Sequence, residues 1–481
     1  MIYSTKVQTQ LSSSSRSSAV QRRTRFPLQI SQRKILLISV DLFLLNLSLL
    51  LGLYISEELP FSIMTVAMQP LWFVTLSLIW MIIASANDNY EVKQAAKVSS
   101  SVLGIFKTLI TIGLLYAFIQ LLTPQLRAGW TTFLIVGMLS SSSIILWRIA
   151  YALILVQPNF QRRALIVGSG KASKTIYQVI EDHDVGYEIV GFVTEDNSDH
   201  ELEIKGNTVI GEWSNLTAFV HEHEISDLIL AVSREMHPDQ LQAVLKCFEQ
   251  GVRVVPMPEV FEEITGRIPV DYINERWLLS LPIDWDSRRL YLLVKRAMDI
   301  ILAGSGLLGL ALFFPFMALI IKLDSPGPIF YRPRRLGRGG KSFRLWKFRT
   351  MVSNADKIGN PTFTAMNDNR ITRIGRILRT AHIDELPQLI NVVAGDMSLV
   401  GPRPERLVPE LEESIPYYRT RYAVKPGATG WALVNQGYAE GVEDTLVKLQ
   451  YDLYYIKHLS LSLDILIIFK SVIHMLTMRG R

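Results

Sequence analysis

Apolar residues along this chain of 481 are bunched rather than spread. Four long apolar stretches come first, at 35–55, 71–86, 105–122 and 131–156. A helix needs about 20 mostly apolar residues to cross a bilayer core. The stretches therefore predict a four-helix transmembrane bundle over residues 33–157, its second member short unless the edges extend. Ahead of them, residues 1–32 are rich in Ser, Gln, Thr and Arg and read as a disordered basic tail. The pattern then changes twice. Ala164-Leu-Ile-Val-Gly-Ser-Gly-Lys171 is a buried-strand signal running into a glycine turn and a helical period, and 188–193, 228–232 and 252–255 repeat the strand signal. Residues 162–285 thus read as a Rossmann-like α/β domain. Residues 290–481 form a last unit that opens on a fifth apolar run, 300–321, interrupted by Pro315.

Charge sets the orientation. Lys and Arg cluster before the first stretch (Arg22, Arg23, Arg25, Arg33, Lys34), between the second and third (Lys93, Lys97) and after the fourth (Arg162, Arg163). Residues 56–70 carry none, and 123–130 carry only Arg127. Basic flanks stay in the cytoplasm, which places both ends of the bundle there. A fifth crossing would carry the basic run from Arg332 to Arg349 outside, whereas a re-entrant helix at about 295–322, kinked at Pro315, keeps it inside. The formal charge of +6 suits an anionic partner. Phe330-Tyr331 and 343–348 read as a hairpin about a glycine turn, and a basic hairpin beside a membrane favours headgroups or a diphosphate over nucleic acid. The single cysteine, Cys247, excludes an internal disulfide framework and a cysteine zinc site.

Candidate chemistry centres on Asp384-Glu385, ahead of a helical pattern. Taken alone, such a pair is more often a helix N-cap than a site. Its neighbours alter that reading. Arg370, Arg373 and Arg376 recur every third residue with Ile371, Ile374 and Leu378 on another face, an amphipathic helix suited to a membrane interface. After the pair come Asn391-Val-Val-Ala-Gly-Asp-Met-Ser-Leu-Val-Gly-Pro-Arg-Pro-Glu405 and Lys425-Pro-Gly-Ala-Thr-Gly-Trp-Ala432, read as loop-like segments in which glycine lets backbone amides approach a ligand. Arg403 offers a fork for phosphate or a uracil carbonyl. In the Rossmann-like domain Gly168 and Gly170 are present, but Ser173 stands at the third glycine position. Tyr291 and Lys295 have the spacing of a short-chain dehydrogenase pair, yet Lys295 stands at the mouth of the apolar run. A structural or regulatory role is expected of that domain.

Six stretches together resemble the bacterial sugar transferase family of polyprenyl-phosphate glycosyl-1-phosphate transferases. They are Lys322-Leu-Asp-Ser-Pro-Gly-Pro-Ile-Phe330, Trp346-Lys-Phe-Arg-Thr-Met351, Ile371-Thr-Arg-Ile-Gly-Arg376, Asp384-Glu-Leu-Pro-Gln-Leu389, the Gly395–Glu405 loop and the Lys425–Ala432 loop. The preceding bundle and Rossmann-like domain make the likeness closest to undecaprenyl-phosphate glucose phosphotransferases. The resemblance implies a monotopic α+β catalytic domain and transfer of hexose 1-phosphate from a UDP-sugar to undecaprenyl phosphate, with release of UMP. UDP-glucose is the first expectation and UDP-galactose the second. It further implies Mg²⁺ at Asp384, Asp384 as nucleophile in a phosphoryl-enzyme intermediate, and Glu385 as its partner. Lys347, Arg349, Arg379 and Arg403 are implied to hold phosphates or uridine. The implied place is the bacterial inner membrane, with cytoplasmic soluble domains, at the first membrane step of exopolysaccharide or O-antigen synthesis. No nucleic-acid partner is implied, and a homodimer is compatible. One departure stands out: the family usually has Ser-Pro where this chain has Phe314-Pro315. Two competing functions are a membrane-tethered NAD-dependent sugar-nucleotide oxidoreductase or epimerase, and a non-enzymatic polysaccharide-export regulator. The intact acidic pair and arginines speak against the second.

Overall fold

The computed structural model describes residues 30–56, 60–68, 70–119, 130–155, 161–168, 170–183, 186–193, 208–210, 213–232, 236–273, 288–352, 370–405, 409–436 and 441–476. The tail expected over 1–32 lies outside them except at its end, where Ile30 already begins a helix. Helices α1 (Ile30–Ile55), α2 (Pro70–Ala86), α3 (Val98–Ile119) and α4 (Trp130–Ile154) pack together around Leu37, Trp80, Ile105, Ile144 and Tyr151. Helix α3 starts earlier than its apolar stretch, because Ser99, Ser100 and Ser101 continue the helix without an apolar signal. By length and composition α1 and α4 can cross a membrane; α2 and 98–113 are apolar but shorter. An unpaired charge inside such a bundle would be costly. Arg148 on α4 instead donates to Asp41 Oδ2 on α1 at 2.5 Å, and to the Asn89 carbonyl beyond α2 at 2.8 Å.

The expected α/β domain is present as a five-stranded sheet. Its strands are β1 (Arg162–Val167), β2 (Tyr187–Val193), β3 (Thr208–Ile210), β4 (Asp227–Leu230) and β5 (Arg253–Pro256). They run parallel in the order β3-β2-β1-β4-β5. Helices α5 (Lys171–His183) and α8 (Met257–Thr265) cover one face through Ile176, Ile180, Val260 and Phe261. Helices α6 (Leu216–Glu222) and α7 (Pro238–Glu249) cover the other through Val220, Val244 and Cys247. Burial on both faces is why the strands read as unbroken apolar runs. Strand β3, three residues long, is too short to leave such a run.

The last unit opens on α9 (Arg289–Asp324), one helix of 36 residues that continues through Pro315. A single stripe of α9 meets the rest of the unit on both sides of that proline. Lys295 and Asp299 bond to Asp464 and Leu399, Gly306 abuts Leu389, and Leu310, Phe314, Met317 and Ile321 join a cluster with Phe330, Phe348 and Leu378. These positions recur every three or four residues, which is one helix face. The expected hairpin follows as β6 (Phe330–Tyr331), β7 (Arg334–Leu336), β8 (Ser342–Arg344) and β9 (Lys347–Phe348), with β6 antiparallel to β9 and β7 to β8. Then come α10 (Arg373–Thr380), α11 (Gln388–Ala394), β10 (Ser398–Val400), β11 (Gly427–Thr429), α12 (Val442–Lys457) and α13 (Leu461–Leu476). Ion pairs join the three units: Lys457 to Glu262 on α8 at 2.7 Å, and Lys470 to Asp88 beyond α2 at 2.5 Å.

Candidate active site

Asp384 and Glu385 lie in a 3-10 turn, Ile383–Glu385, rather than in the first turn of a helix as the pattern suggested. Helix α11 begins three residues later behind Pro387, and neither carboxylate caps it. The turn is seated from below by Ile383, which packs against Phe348 and Leu378. Helix α10 fixes its approach. Thr372 Oγ1 accepts from Gly375 N at 3.0 Å and Asp324 Oδ2 from Ile374 N at 3.1 Å, so two orphan amides of the first turn are satisfied. Gly375 is required by space: a Cβ there would lie 2.1 Å from the Thr350 carbonyl. Arg379 Nε then donates to Thr350 Oγ1 at 2.9 Å.

The two carboxylates meet different surroundings. Glu385 Oε1 accepts from Lys347 Nζ at 2.8 Å and from Arg403 Nη2 at 2.6 Å. Burial alone would raise its pKa, yet the charges and hydrogen bonds of Arg403 and Lys347 hold it far below the usual carboxylate range. Asp384 is 7% exposed and has no hydrogen-bond or ion-pair partner among the described residues. Burial, then the adjacent Glu385 charge, push its pKa up to about 6 against the pull of Lys347, Arg379 and Arg403. Beside them opens a cleft of about 330 Å³, including its open mouth, lined by Arg335, Lys347, Gln388, Arg403, Glu405 and the backbone of Gly427. Three cations, Arg335, Lys347 and Arg403, line it against the one carboxylate of Glu405, a balance that suits a diphosphate.

Each clamp residue is itself positioned. Asn391 on α11 donates to the Arg344 carbonyl at 2.8 Å and accepts from Trp346 N at 2.9 Å, which holds the approach to Lys347. Arg403 follows Gly401-Pro402, and its loop is braced by Arg421, whose Nη2 reaches Asp452 Oδ2 at 2.7 Å and the Arg403 carbonyl at 3.4 Å. Lys448 pairs with Glu405 on the same loop. Sequence reasoning missed Asn391, Arg421 and Asp452. An amide inside the apolar run Leu389-Ile-Asn-Val-Val is the one signal that could have marked Asn391, since Asn is a poor helix former there.

Of the expected site residues, the structure brings together Asp384, Glu385, Lys347 and Arg403, with Arg379 within electrostatic reach. Arg349 stands apart. It is buried, and its Nη2 donates to the Ser325 and Ile321 carbonyls at 2.5 and 3.2 Å, closing the C-terminus of α9. Pro315 sits within α9, and the preceding Phe314 stacks on Phe330 with ring centres 5.6 Å apart. Tyr291 and Lys295 both bond to the buried Asp464, at 2.9 Å each, so their dehydrogenase-like spacing serves the packing of α9 on α13. Magnesium characteristically takes one or two carboxylates together with substrate phosphates and waters. The unpartnered Asp384 carboxylate beside a cationic cleft fits that donor set, and the described residues hold no cluster of three acidic, His or Cys ligands that would cage a metal alone.

A cationic cleft beside a buried, unspent carboxylate, on a unit docked along an apolar helix, defines a phosphoryl-transferring enzyme at a membrane. Residues 290–478 match the bacterial sugar transferase family, and residues 71–258 match a CoA-binding domain family. The chain belongs to the bacterial sugar transferase family, and with its long apolar helices it is a membrane protein. It is 31% identical over 394 residues to the UDP-glucose:undecaprenyl-phosphate glucose-1-phosphate transferase of Xanthomonas campestris pv. campestris, an alignment covering 78% of this chain and 79% of that one. It is 42% identical over 197 residues to the exopolysaccharide production protein PSS of Rhizobium leguminosarum bv. phaseoli, covering 40% of this chain and 98% of that one. The UDP-N-acetylgalactosamine-undecaprenyl-phosphate N-acetylgalactosaminephosphotransferase of Aeromonas hydrophila is 40% identical over 260 residues, 51% of this chain and 59% of that one. As to CoA, Ser173 Oγ donates to the Gly168 carbonyl at 2.8 Å, filling the room a third glycine would leave.

Proposed function

We propose that this enzyme transfers hexose 1-phosphate from a UDP-sugar to undecaprenyl phosphate, opening a lipid-linked polysaccharide repeat unit. The observation that carries the mechanism is the contrast between Glu385, spent on two cations, and Asp384, buried and unspent. An Asp384 oxygen attacks the β-phosphorus of the UDP-sugar; the bond to the bridging oxygen breaks and UMP leaves. The lipid phosphate oxygen then attacks the same phosphorus, and Asp384 is released. Splitting the displacement in this way replaces one encounter of two anionic substrates with two easier steps. Lys347 and Arg403, fixed before substrate arrives, neutralise charge on the departing UMP, and Arg379 helps draw the lipid phosphate. Asp384 together with the substrate diphosphate would hold Mg²⁺, which would supply further neutralisation of the phosphoryl oxygens.

The membrane placement follows the same reading. The four apolar helices cross the inner membrane with both ends cytoplasmic, as the distribution of Lys and Arg supports. On this reading helix α9 is re-entrant with both ends on one side, which is supported by the contacts one face makes with the catalytic unit on both sides of Pro315. The Phe314 ring, stacked on Phe330, replaces the support that a serine hydroxyl would give. Glucose is the preferred sugar, since the Xanthomonas relative bears a glucose-1-phosphate transferase name. N-acetylgalactosamine is the competitor named for the Aeromonas relative.

The test is transfer of radiolabel from UDP-glucose, UDP-galactose and UDP-N-acetylgalactosamine to undecaprenyl phosphate, with UMP measured in parallel. Asp384→Asn is expected to abolish UMP release with correct folding retained. Full activity in that variant would sink the nucleophile assignment.

A further inference from the structure

Buried side-chain amides in native proteins are nearly always hydrogen-bonded, because an unmade bond forfeits the full cost of taking the group out of water. Gln388 departs from that rule. It is the first residue of α11 and only 3% exposed, yet its side chain has no hydrogen-bond partner among the described residues. Asn391, on the next turn of the same helix, shows the usual condition: its amide donates to the Arg344 carbonyl and accepts from Trp346 N. The Gln388 amide is also not sealed. It lines the cleft with Lys347 and Arg403, and neither of its polar atoms is among the fully enclosed ones that lack a partner. The structure thus holds one donor group and one acceptor open to the cleft and to nothing else described.

Its place in the chain says which part of a ligand it meets. After the 3-10 turn Ile383–Glu385, Leu386 and Pro387 keep right-handed helical dihedrals and α11 follows. Gln388 therefore falls on the side of the backbone that carries Asp384 and Glu385, four and three residues back. The reaction proposed above brings the β-phosphorus to within about 3–3.5 Å of an Asp384 oxygen. That phosphorus carries the diphosphate bridge on one side and the anomeric oxygen of the hexose on the other. The bridge is anionic, and Lys347, Arg403 and Arg335 already serve it. A neutral amide adds little there, and its carbonyl oxygen would face phosphoryl oxygens. A sugar hydroxyl suits both ends of the amide, since it can donate to the carbonyl oxygen and accept from the NH₂.

We infer that Gln388 is a substrate-binding residue whose amide holds the hexose by the hydroxyl next to the anomeric carbon, the 2-hydroxyl. This rests on the transferase reading and refines it: the cations grip the diphosphate, and Gln388 sets the sugar. A polar group left unpaired by the wrong sugar rejects it more strongly than an apolar wall would.

The test measures UMP release by the full chain in detergent, with undecaprenyl phosphate and either UDP-glucose or UDP-2-deoxyglucose. UMP leaves in both cases, so the comparison reads sugar binding rather than the leaving group. The parent should favour UDP-glucose by roughly 10–100-fold in kcat/KM. Gln388→Leu should lose about that factor on UDP-glucose and almost nothing on UDP-2-deoxyglucose, so the preference collapses. Gln388→Met, unbranched and without a donor, should collapse it in the same way. An equal loss on both substrates would put the amide on the phosphates or the uridine and overturn the inference. A thermal midpoint taken without substrate separates a structural role. Gln388→Leu should match or exceed the parent, because an unpaired buried amide has been removed; a lower midpoint with the sugar preference intact overturns the inference as well. A parent that releases UMP but ignores the 2-hydroxyl defeats this inference alone, whereas a parent that releases none from UDP-glucose defeats the reading beneath it.

Discussion

Asp384 and Glu385 adjoin in the chain but divide the local charge unequally: Glu385 takes Lys347 at 2.8 Å and Arg403 at 2.6 Å, and Asp384 takes neither. On the proposed mechanism one carboxylate is an anchor and the other the reagent, and the clamp keeps the cations from quenching that nucleophile by direct pairing.

That division sets a pH dependence. Burial and the Glu385 charge raise Asp384 to about 6, so its ionised form is populated above that pH and kcat/KM for UMP release should fall below it. Glu385→Gln removes the like charge and frees Lys347 and Arg403 toward Asp384, and both changes favour the ionised form. The acid limb should move to lower pH while the plateau drops by roughly 10²-fold through loss of the preorganised cations. A limb that stays in place or rises would contradict the coupling.

Gly375→Ala should destabilise the protein by about 1–3 kcal/mol, because its Cβ would stand 2.1 Å from the Thr350 carbonyl and α10 must shift. Arg379 would move with it, so transfer should slow as well. Gly304→Ala on α9 is the matched control, with nothing within 4 Å of its Cβ. Thermal midpoints in detergent should drop for the first and hold for the second.

Asn391→Ala leaves the Trp346 amide and the Arg344 carbonyl without their partner, at about 1–3 kcal/mol for each group left buried. The distinguishing readout is kinetic. Lys347 follows Trp346 directly, so UMP release should fall further than in a variant of equal thermal loss placed in the α/β domain, such as Val244→Ala.

Glu405 reports on the loop that carries Arg403. Burial opposes its ionisation, but Lys448 and Arg421 bring its pKa down to about 2. A depressed carboxylate pKa contributes stability that is present above the unfolded value of about 4.3 and lost as pH falls toward the folded one. Glu405→Gln should therefore lower the thermal midpoint at pH 7, and its gap from the parent should narrow below about pH 4. A gap independent of pH would show that the charge pairing is not the source.

The apolar patterns made the bundle, four of the five sheet strands and the hairpin legible, because each depends on burial within its own segment. The site was legible as a set of residue types but not as a set of roles. Lys347 and Arg403 reach Glu385 across 38 and 18 residues, and nothing local to Asp384-Glu385 says which carboxylate they choose. Lys347 and Arg349 look alike in Lys-Phe-Arg, but β9 ends at Phe348 and the Arg349 side chain turns to the last carbonyls of α9. Phe314 in place of serine looked like a loss from sequence; its stacking on Phe330 depends on a partner 16 residues away across the helix end.

Helix α9 carries a mechanical consequence. On the re-entrant placement proposed for it, a helix held along one face to the catalytic unit engages a single leaflet, so the depth of the reaction centre is referenced to the near surface alone. On the same proposal the four-helix bundle must adapt to hydrophobic thickness, and the chemistry need not. Turnover should thus be nearly constant across bilayers of different acyl length, even where the bundle tilts to match them.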